Sequence, residues 1–293
     1  MERPRVNLTD LTLTDRKPLV MVTAYDAASA RLTDSAGVDL ILVGDTLAEF
    51  TLGYDSTTPV TVNEMLHHCQ AVTRIQPRAF VVGDMPLGSY QVSKEEAVRN
   101  AIRFVKEGGV DAVKIEGGKV REETIRAIAE AGIAVMGHIG FTPQSAISFG
   151  SQIVTGRDAQ SAIEIYRDAL ALQEAGCFAI VLEAVARAVA SHITSDLSIP
   201  SIGIGSGSGC SGQVLVFHEL TGIHPGPSPR FVRRYGEIGT AIQQAISFFA
   251  RDVRSGTYPD KEHSYLMPAE EITRFKHAIA TERRSTHFRS QSA

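Results

Sequence analysis

The chain has 293 residues, of which 43% are hydrophobic and 21% are charged, with a formal net charge of -4 at pH 7. This balance is typical of a globular protein with one large α/β barrel or two smaller domains, and it lacks the basic character of nucleic-acid-binding proteins. No apolar run approaches the roughly 20 residues that cross a bilayer. The N-terminal MERPRVNLTD has no apolar segment behind its charges, so no secretory signal is expected.

The three cysteines, Cys69, Cys177 and Cys210, are odd in number and widely spaced. Because none belongs to a C-x-x-C pair, they are expected to be reduced thiols rather than disulfides or zinc ligands. The expected location is therefore the cytoplasm. Small molecules are the expected partners, with no nucleic acid and no membrane.

Short apolar runs rich in valine and isoleucine recur along the chain, and most of them end on a polar or charged residue. Seven such runs are predicted to be strands, at 19–26, 40–45, 80–84, 112–116, 134–138, 180–184 and 201–205. The segment 229–235 suggests an eighth strand. The segment 212–220 competes for that place, or forms a helix packed on the end of the barrel.

Amphipathic helices are predicted between several of these strands. The segment 93–109 begins with Ser93 and Glu96 at capping-box spacing and stops at glycine, which suits a left-handed C-cap. The segments 121–132 and 158–176 repeat this pattern and also end at glycine. Helices that alternate with apolar strands indicate a parallel sheet.

Two parallel architectures fit this alternation, an open doubly wound sheet and a closed (β/α)₈ barrel. Seven or eight strands in series favour the closed form, so the predicted fold class is α/β, a (β/α)₈ TIM barrel. The barrel is expected to occupy residues 1–270 as a single domain. The polar residues 271–293 are expected to form a frayed C-terminal tail.

Polar side chains end the predicted strands on the side where a barrel would gather them. The carboxyl ends of all strands in a (β/α)₈ barrel meet at one face, where active sites are built. The residues at these ends are Asp26, Asp45, Asp84, Glu116, His138 and Glu183. Several carboxylates at one rim are costly unless a cation or a reaction uses them.

Asp45, Asp84 and Glu116 follow three successive predicted strands and offer oxygen ligands without a neighbouring cysteine. Such a set suits Mg²⁺, or alternatively Mn²⁺, better than zinc. The alternative interpretation is that these acids cap helices or pair with arginines at the rim.

Three further side chains could act beside these acids. Lys114 lies two residues before Glu116 and shares its strand face, so it is expected to point into the barrel. There it would hold a substrate carboxylate or form a buried ion pair. Glu183 ends an apolar strand and is a candidate general base, with a helix cap or a rim ion pair as the alternative. His138 would orient substrate or have a structural role.

Several segments resemble the ketopantoate hydroxymethyltransferase family. They include VTAYDA, LVGDT…GYDSTTPVT, VGDMP, AVKIEGG, GHIGFTPQS, IPSIGIGSG and GQVLVFHEL, and they run collinearly between about Pro18 and Tyr265. The resemblance implies a barrel related to phosphoenolpyruvate mutase and isocitrate lyase. It also implies transfer of a one-carbon unit from 5,10-methylenetetrahydrofolate to 3-methyl-2-oxobutanoate. The products would be tetrahydrofolate and 2-dehydropantoate, a step of pantothenate biosynthesis.

The resemblance also implies roles for individual residues. The family's Mg²⁺ ligands fall on Asp45, Asp84 and Glu116, and its oxo-acid-binding positions fall on Asp45, Thr46, Asp84 and Lys114. Its proton acceptor falls on Glu183, which would remove the C3 proton of the oxo acid. The enolate, stabilised by the metal and Lys114, would then attack the one-carbon unit. A homo-oligomer is implied as well, a decamer in this family.

Three positions depart from the residues usual in the family. Thr46 replaces a serine, Ala48 replaces a glycine and Ser211 replaces an acidic residue. These departures bear on folate affinity and substrate fit more than on the type of reaction. Two other hypotheses stay open: a related barrel that makes or breaks C–C bonds in an oxo acid without folate, and a non-catalytic relative that keeps the barrel for binding or assembly.

Overall fold

Eight parallel strands close into a barrel. The structure, a computed structural model, describes residues 4–12, 17–145 and 154–290. The strands pair in chain order, and the last pairs with the first. They are β1 (Leu19–Thr23), β2 (Leu40–Val43), β3 (Phe80–Asp84), β4 (Ala112–Glu116), β5 (Ala134–Gly140), β6 (Ala179–Glu183), β7 (Ser201–Ile204) and β8 (Gly212–Leu215). The predicted (β/α)₈ barrel is confirmed.

Helices surround most of this barrel. They are α1 (Leu8–Leu11), α2 (Ala27–Ser35), α3 (Val62–Thr73), α4 (Lys94–Lys106), α5 (Glu122–Glu130), α6 (Ala159–Glu174), α7 (Arg187–Asp196) and α8 (Phe217–Leu220). Five of them begin at a side chain that accepts a hydrogen bond from the backbone N–H three residues later, at Asn7, Asp26, Thr61, Ser93 and Asp158. Each such cap satisfies an N–H group that the first helical turn leaves free. The predicted helices after 93, 121 and 158 are present.

The eighth strand is β8 and not the suggested segment 229–235, where the structure has no strand. Gly212 lets β8 approach β1 closely, because an added Cβ there would lie 2.5 Å from the carbonyl oxygen of Leu19. Val214 supplies the buried interior side chain, with 5% of its surface exposed. The segment 229–235 contains three arginines, and as a barrel strand it would bury them against apolar side chains on either face.

The strands alternate between an inner and an outer face. Odd and even positions separate cleanly: Leu40 and Leu42 pack in one cluster inside the barrel, whereas Ile41 and Val43 pack in another cluster that includes the surrounding helices. The same alternation holds in later strands, where the inward row runs from an apolar residue to a charged one. In β4, for example, the inward row starts at Ala112 and continues through Lys114 and Glu116. The two-residue period therefore directs Asp84, Glu116 and Glu183 inward, whereas Asp45 lies beyond the end of β2.

The chain divides into two compact units, the first ending at Glu237 and the second beginning at Ile238. The predicted boundary at residue 270 differs from this division. The second unit contains α9 (Ile238–Ser255) and α10 (Ala269–Ser290), so most of the expected frayed tail is helical. Residues 291–293 lie outside the described part of the chain. On α9 the exposed side chains of Ile242, Ile246, Phe249 and Val253 follow one helical face.

The described residues include no helix that is both long enough and apolar enough to span a membrane. Cys69, Cys177 and Cys210 are buried and unpaired, as the sequence predicted.

Gly140→Ala is expected to destabilise the barrel strongly. Gly140 has a φ of +95°, and an added Cβ would lie 2.2 Å from the carbonyl oxygen of Glu183. Gly132→Ala is the matched control, since its φ is +84° but nothing lies within 4 Å of an added Cβ. The φ cost shared by both variants is about 1–2 kcal/mol. Urea unfolding should show a larger loss for Gly140→Ala, and equal losses would contradict the predicted clash.

Candidate active site

Six polar side chains from five consecutive strands meet at the carboxyl end of the barrel. Asp84 and Glu183 end β3 and β6, Lys114 and Glu116 lie in β4, and His138 lies in β5. Asp45 follows β2 after a single glycine. All except Glu183 are at most 4% exposed. The side chain of Glu183 is 16% exposed and stands at the open side of the group.

Lys114 is surrounded by acids at the base of this group. Its Nζ lies 2.8 Å from Asp84 Oδ1 and 3.9 Å from Glu116 Oε1. The other oxygen of Asp84 accepts a hydrogen bond from the backbone N–H of Asp45 at 3.1 Å. Lys114 therefore points inward, and its ammonium forms the buried ion pair that was one of its two predicted alternatives.

His138 connects the buried acids to the more open one. Its Nδ1 lies 3.2 Å from Glu116 Oε1, and its Nε2 lies 3.1 Å from Glu183 Oε2. The ring thus bridges a carboxylate deep in the barrel and a carboxylate at the mouth. This arrangement holds Glu183 in one orientation from the buried side.

The site contains more acid than its two basic side chains can neutralise. Burial raises the pKa of Asp45, and the charges of Asp84 and Glu116 raise it further, well above its usual range. Burial lowers the pKa of Lys114, but the neighbouring carboxylates outweigh burial, so the ammonium stays protonated. Burial and the Lys114 ammonium, 3.3 Å from Nδ1, lower the pKa of His138, but its two carboxylate neighbours raise it to about 9. The imidazole is therefore a cation at neutral pH.

The carboxylate oxygens of Asp45, Asp84 and Glu116 suit a hard divalent cation, although these side chains do not converge on one point. Among the residues that the structure describes, no three His, Cys, Asp or Glu side chains are arranged as the ligands of a metal ion. However, Asp84 Oδ1 and Glu116 Oε1 are buried and lack a well-directed hydrogen bond, even though cationic groups lie close to them. Buried carboxylate oxygens in excess of their partners suit Mg²⁺ or Mn²⁺.

Gln144 received no role from sequence analysis, yet it connects the acids. Its backbone N–H donates to Glu116 Oε2 at 3.0 Å, and its side-chain Nε2 donates to Asp45 Oδ2 and to the carbonyl oxygen of Met85, both at 3.0 Å. Its Oε1 accepts from the hydroxyl of Tyr90 at 2.6 Å. The available signal was its place in GHIGFTPQS, a segment that carried the family resemblance.

Thr46 and Ser211, two of the three residues that depart from the family pattern, lie at opposite ends of the barrel. Thr46 lines the same pocket as the acids, and its Oγ1 lies 2.8 Å from the hydroxyl of the buried Tyr25. Ser211 lies at the opposite end of the barrel, where its Oγ accepts from the backbone N–H of Ser201 at the start of β7. Ser211 therefore cannot contact a ligand at the mouth, whereas Thr46 can.

Asp26 is the strand-end acid that does not join the group. Its Oδ1 accepts from the backbone N–H and from the hydroxyl of Ser29, both at 2.7 Å. These bonds cap α2. The helix-cap alternative that was considered for the strand-end acids thus applies to Asp26.

Solved structures of the same fold are barrels of the phosphoenolpyruvate mutase and isocitrate lyase type. Phosphoenolpyruvate phosphomutase from Streptomyces platensis subsp. rosaceus has a TM-score of 0.57 and 17% sequence identity, with 96% of this chain and 98% of that chain covered. Phosphonopyruvate hydrolase in complex with oxalate and Mg²⁺ has a TM-score of 0.58 and 14% identity, covering 94% of this chain and 95% of that one. At these identities the likeness establishes the fold alone.

Sequence comparison identifies the family. The family model for ketopantoate hydroxymethyltransferase matches residues 5–261. A 3-methyl-2-oxobutanoate hydroxymethyltransferase from Heliobacterium modesticaldum is 52% identical, with 87% of this chain and 92% of that protein covered. Its counterpart from Moorella thermoacetica is 50% identical, with 90% and 99% covered. The chain belongs to the ketopantoate hydroxymethyltransferase family, a family of transferase enzymes.

Proposed function

We propose that this chain transfers a hydroxymethyl group from 5,10-methylenetetrahydrofolate to 3-methyl-2-oxobutanoate, giving 2-dehydropantoate and tetrahydrofolate in pantothenate biosynthesis. The family and the names of its relatives support the hydroxymethyl transfer. The observation that carries the reaction type is the group formed by the buried acids, Lys114, His138 and Glu183. It combines a site for an anionic oxo acid with a more exposed carboxylate that can take up a proton.

Asp45, Asp84 and Glu116 are the proposed ligands of a Mg²⁺ or Mn²⁺ ion, and the oxalate complex of a barrel with the same fold supports a divalent metal. A divalent ion bound there would act as a Lewis acid on the keto oxygen of the substrate. Thr46 and Lys114 are the proposed additional contacts of the oxo acid. The protonated Nζ of Lys114 suits a carboxylate or a developing oxyanion.

Glu183 is the proposed proton acceptor for C3 of the oxo acid. Its Oε2 faces His138, so its other oxygen is free to face the mouth. Removal of the C3 proton by this carboxylate leaves an enolate, whose negative charge Lys114 stabilises from below. The carbon nucleophile then forms the new C–C bond with the one-carbon unit, the bonds of that carbon to the folate nitrogens break, and a water molecule supplies the hydroxyl oxygen, so that tetrahydrofolate and the hydroxymethyl product are released.

The proposed function is tested by two assays with the purified chain. Mg²⁺ should support exchange of the C3 proton of 3-methyl-2-oxobutanoate with deuterium from solvent, followed by NMR. Adding 5,10-methylenetetrahydrofolate should yield 2-dehydropantoate, detected by mass spectrometry. Exchange without transfer would favour a related barrel that does not use folate, and the absence of both would favour a non-catalytic relative.

Gln144→Ala is expected to weaken metal binding by about 10- to 100-fold, the usual effect of removing a residue that orients metal ligands. The substitution removes a donor to Asp45 and a partner of Tyr90, so both groups lose their fixed orientation. Mn²⁺ titration followed by EPR measures the affinity. Gln160→Ala, on the exposed face of α6, is the control. Unchanged metal affinity in a folded Gln144→Ala variant would contradict this role.

A homo-oligomer is proposed as well, a decamer as the family resemblance implies. The apolar face of α9, with Ile246 62% exposed and Phe249 56% exposed, supports burial against another surface. Sedimentation equilibrium tests this, and the mass of one 31.6 kDa chain would contradict it. A cytoplasmic location is proposed from the three buried, unpaired cysteines.

A further inference from the structure

Glu219 is a further carboxylate near the mouth of the barrel, and none of the described residues pairs with it. Glu219 lies in α8, four residues after the end of β8, and is only 6% exposed. Its side chain forms no hydrogen bond and no ion pair with any residue in the described ranges 4–12, 17–145 and 154–290. Burial raises the pKa of Glu219, as do the nearby charges of Glu183 and Glu49, whereas Arg234 opposes them. Keeping such a group partly desolvated is costly unless a ligand satisfies it.

Arg234 does not compensate this carboxylate. Its guanidinium donates to the carbonyl oxygens of His224 and Gly226 and to Ser228 Oγ. Its nearest acid is Glu237, at 3.9 Å. Among the described residues, Arg234 is the cation that lowers the pKa of Glu219, and it is bound to its own loop, so the carboxylate is available to an external donor.

Flat side chains lie next to Glu219. The ring of His218 stacks with the ring of Tyr25 at 5.4 Å and with the ring of Phe50 at 5.7 Å, with interplanar angles of 22° and 19°. The rings of His224 and Phe50 are nearly perpendicular, with an interplanar angle of 85° and 5.2 Å between their centroids. Tyr25 also contacts Thr46 in the candidate oxo-acid pocket. A group of rings thus extends from the oxo-acid pocket to the residue beside Glu219.

We propose that Glu219 and the Phe50–His218 ring group bind the pteridine of the one-carbon carrier. This inference rests on the proposed function, which requires a folate but assigns no residue to it. A pteridine is a flat heteroaromatic ring with an amino-oxo pyrimidine edge, and that edge presents two adjacent N–H donors. A carboxylate can accept both, and charge-assisted pairs of this kind are among the strongest hydrogen bonds in proteins. Aromatic side chains provide the stacking surface.

The position of Glu219 fits this role. Glu219 follows β8 at the carboxyl end of the barrel, in the same short helix as His218 of the ring group, and the nearby charge of Glu183 raises its pKa. A carrier held there by its pyrimidine edge would extend its one-carbon unit toward C3 of the oxo acid. The three acids in the deeper part of the candidate active site lie among Lys114, His138 and Gln144, which leaves Glu219 available for an uncharged N–H edge.

Glu219→Gln tests the proposal because the amide keeps the shape but replaces one acceptor oxygen with a donor. The KM for 5,10-methylenetetrahydrofolate should rise by about 10- to 100-fold, as expected for one charged hydrogen-bonded pair. The turnover at saturating folate should change by less than the KM, and the KM for the oxo acid should stay within about twofold. Tetrahydrofolate binding, measured by calorimetry, should weaken by the same factor. Glu130→Gln, at the exposed end of α5 and away from the mouth, is the control and should leave all these values unchanged.

Phe50→Leu gives a second readout that does not depend on the carboxylate. It should weaken tetrahydrofolate binding by about 10-fold, because the aromatic ring that stacks on the flat ligand is lost. If Glu219→Gln binds tetrahydrofolate like the wild type while the wild-type chain performs both exchange and transfer, the inference is wrong and the proposed function stands. If the wild-type chain exchanges the C3 proton but transfers no one-carbon unit from the folate, both fail.

Discussion

Glu183→Gln is expected to lower turnover by about 10²- to 10⁴-fold, the range usual for loss of a general base. The amide cannot accept the C3 proton, but it keeps the size of the carboxylate and can still contact His138. Metal binding should stay nearly intact, because Glu183 is not one of the proposed ligands. The rate of deuterium exchange at C3 of the oxo acid should fall in parallel with turnover, since both depend on the same proton transfer.

Exchange and turnover are measured on the same preparation, with Mn²⁺ affinity as the check on the metal site. Glu130→Gln, near the end of α5 and away from the barrel mouth, is the matched control and should behave like the wild type. Wild-type exchange in Glu183→Gln would remove this glutamate from the mechanism. A loss of turnover without a loss of exchange would place its role after proton removal.

Asp84→Asn is expected to abolish metal-dependent binding of the oxo acid, a loss of at least about 100-fold. Asp84 pairs with Lys114 and accepts from the backbone N–H of Asp45, so its carboxylate contacts residues on both sides of the proposed site. The amide can still accept from that N–H but carries no charge. Lys114 then loses its nearest carboxylate and keeps the longer contact to Glu116 Oε1, at 3.9 Å, and the contact to Nδ1 of His138, at 3.3 Å. Breaking a buried ion pair in this way typically costs about 3–5 kcal/mol of stability.

Calorimetric titration of the oxo acid, with and without Mg²⁺, separates the two effects of Asp84→Asn. Asp111→Asn is a control at the opposite end of the same barrel, where the carboxylate accepts from the backbone N–H of Val81. The control should keep Mg²⁺-dependent binding. If Asp84→Asn folds and still binds the oxo acid only in the presence of Mg²⁺, the proposed ligand set is wrong.

The stability of the folded chain should depend on pH through the protonation of His138. His138, whose pKa is raised to about 9, binds a proton more tightly in the folded chain than in the unfolded chain. Its contribution to stability is therefore complete below its ordinary pKa of about 6.5 and is lost as the pH rises through 9. Unfolding experiments on the active-site variants are best compared at one pH below that window.

Local sequence patterns were sufficient to predict the seven strands from β1 to β7, to within a few residues at their ends, and the inward direction of Lys114. These features follow from local rules. Side chains alternate with a period of two along a strand, and parallel strands in a barrel end at one face. The same rules predicted that Asp45, Asp84, Glu116, His138 and Glu183 would come together.

The choice of the eighth strand, the contacts of Gln144 and the pKa values in the site depend on the tertiary structure. β8 was not distinguishable from 229–235 because both segments mix apolar and polar residues, and only closure against β1 selects the one that begins with Gly212. Gln144 reaches Asp45 across 99 positions of sequence, so no local pattern could indicate that contact. The protonated state of His138 and the raised pKa of Asp45 also depend on which charges face each other across the barrel. Such long-range contacts are set by the closed packing of all eight strands, which no single segment contains.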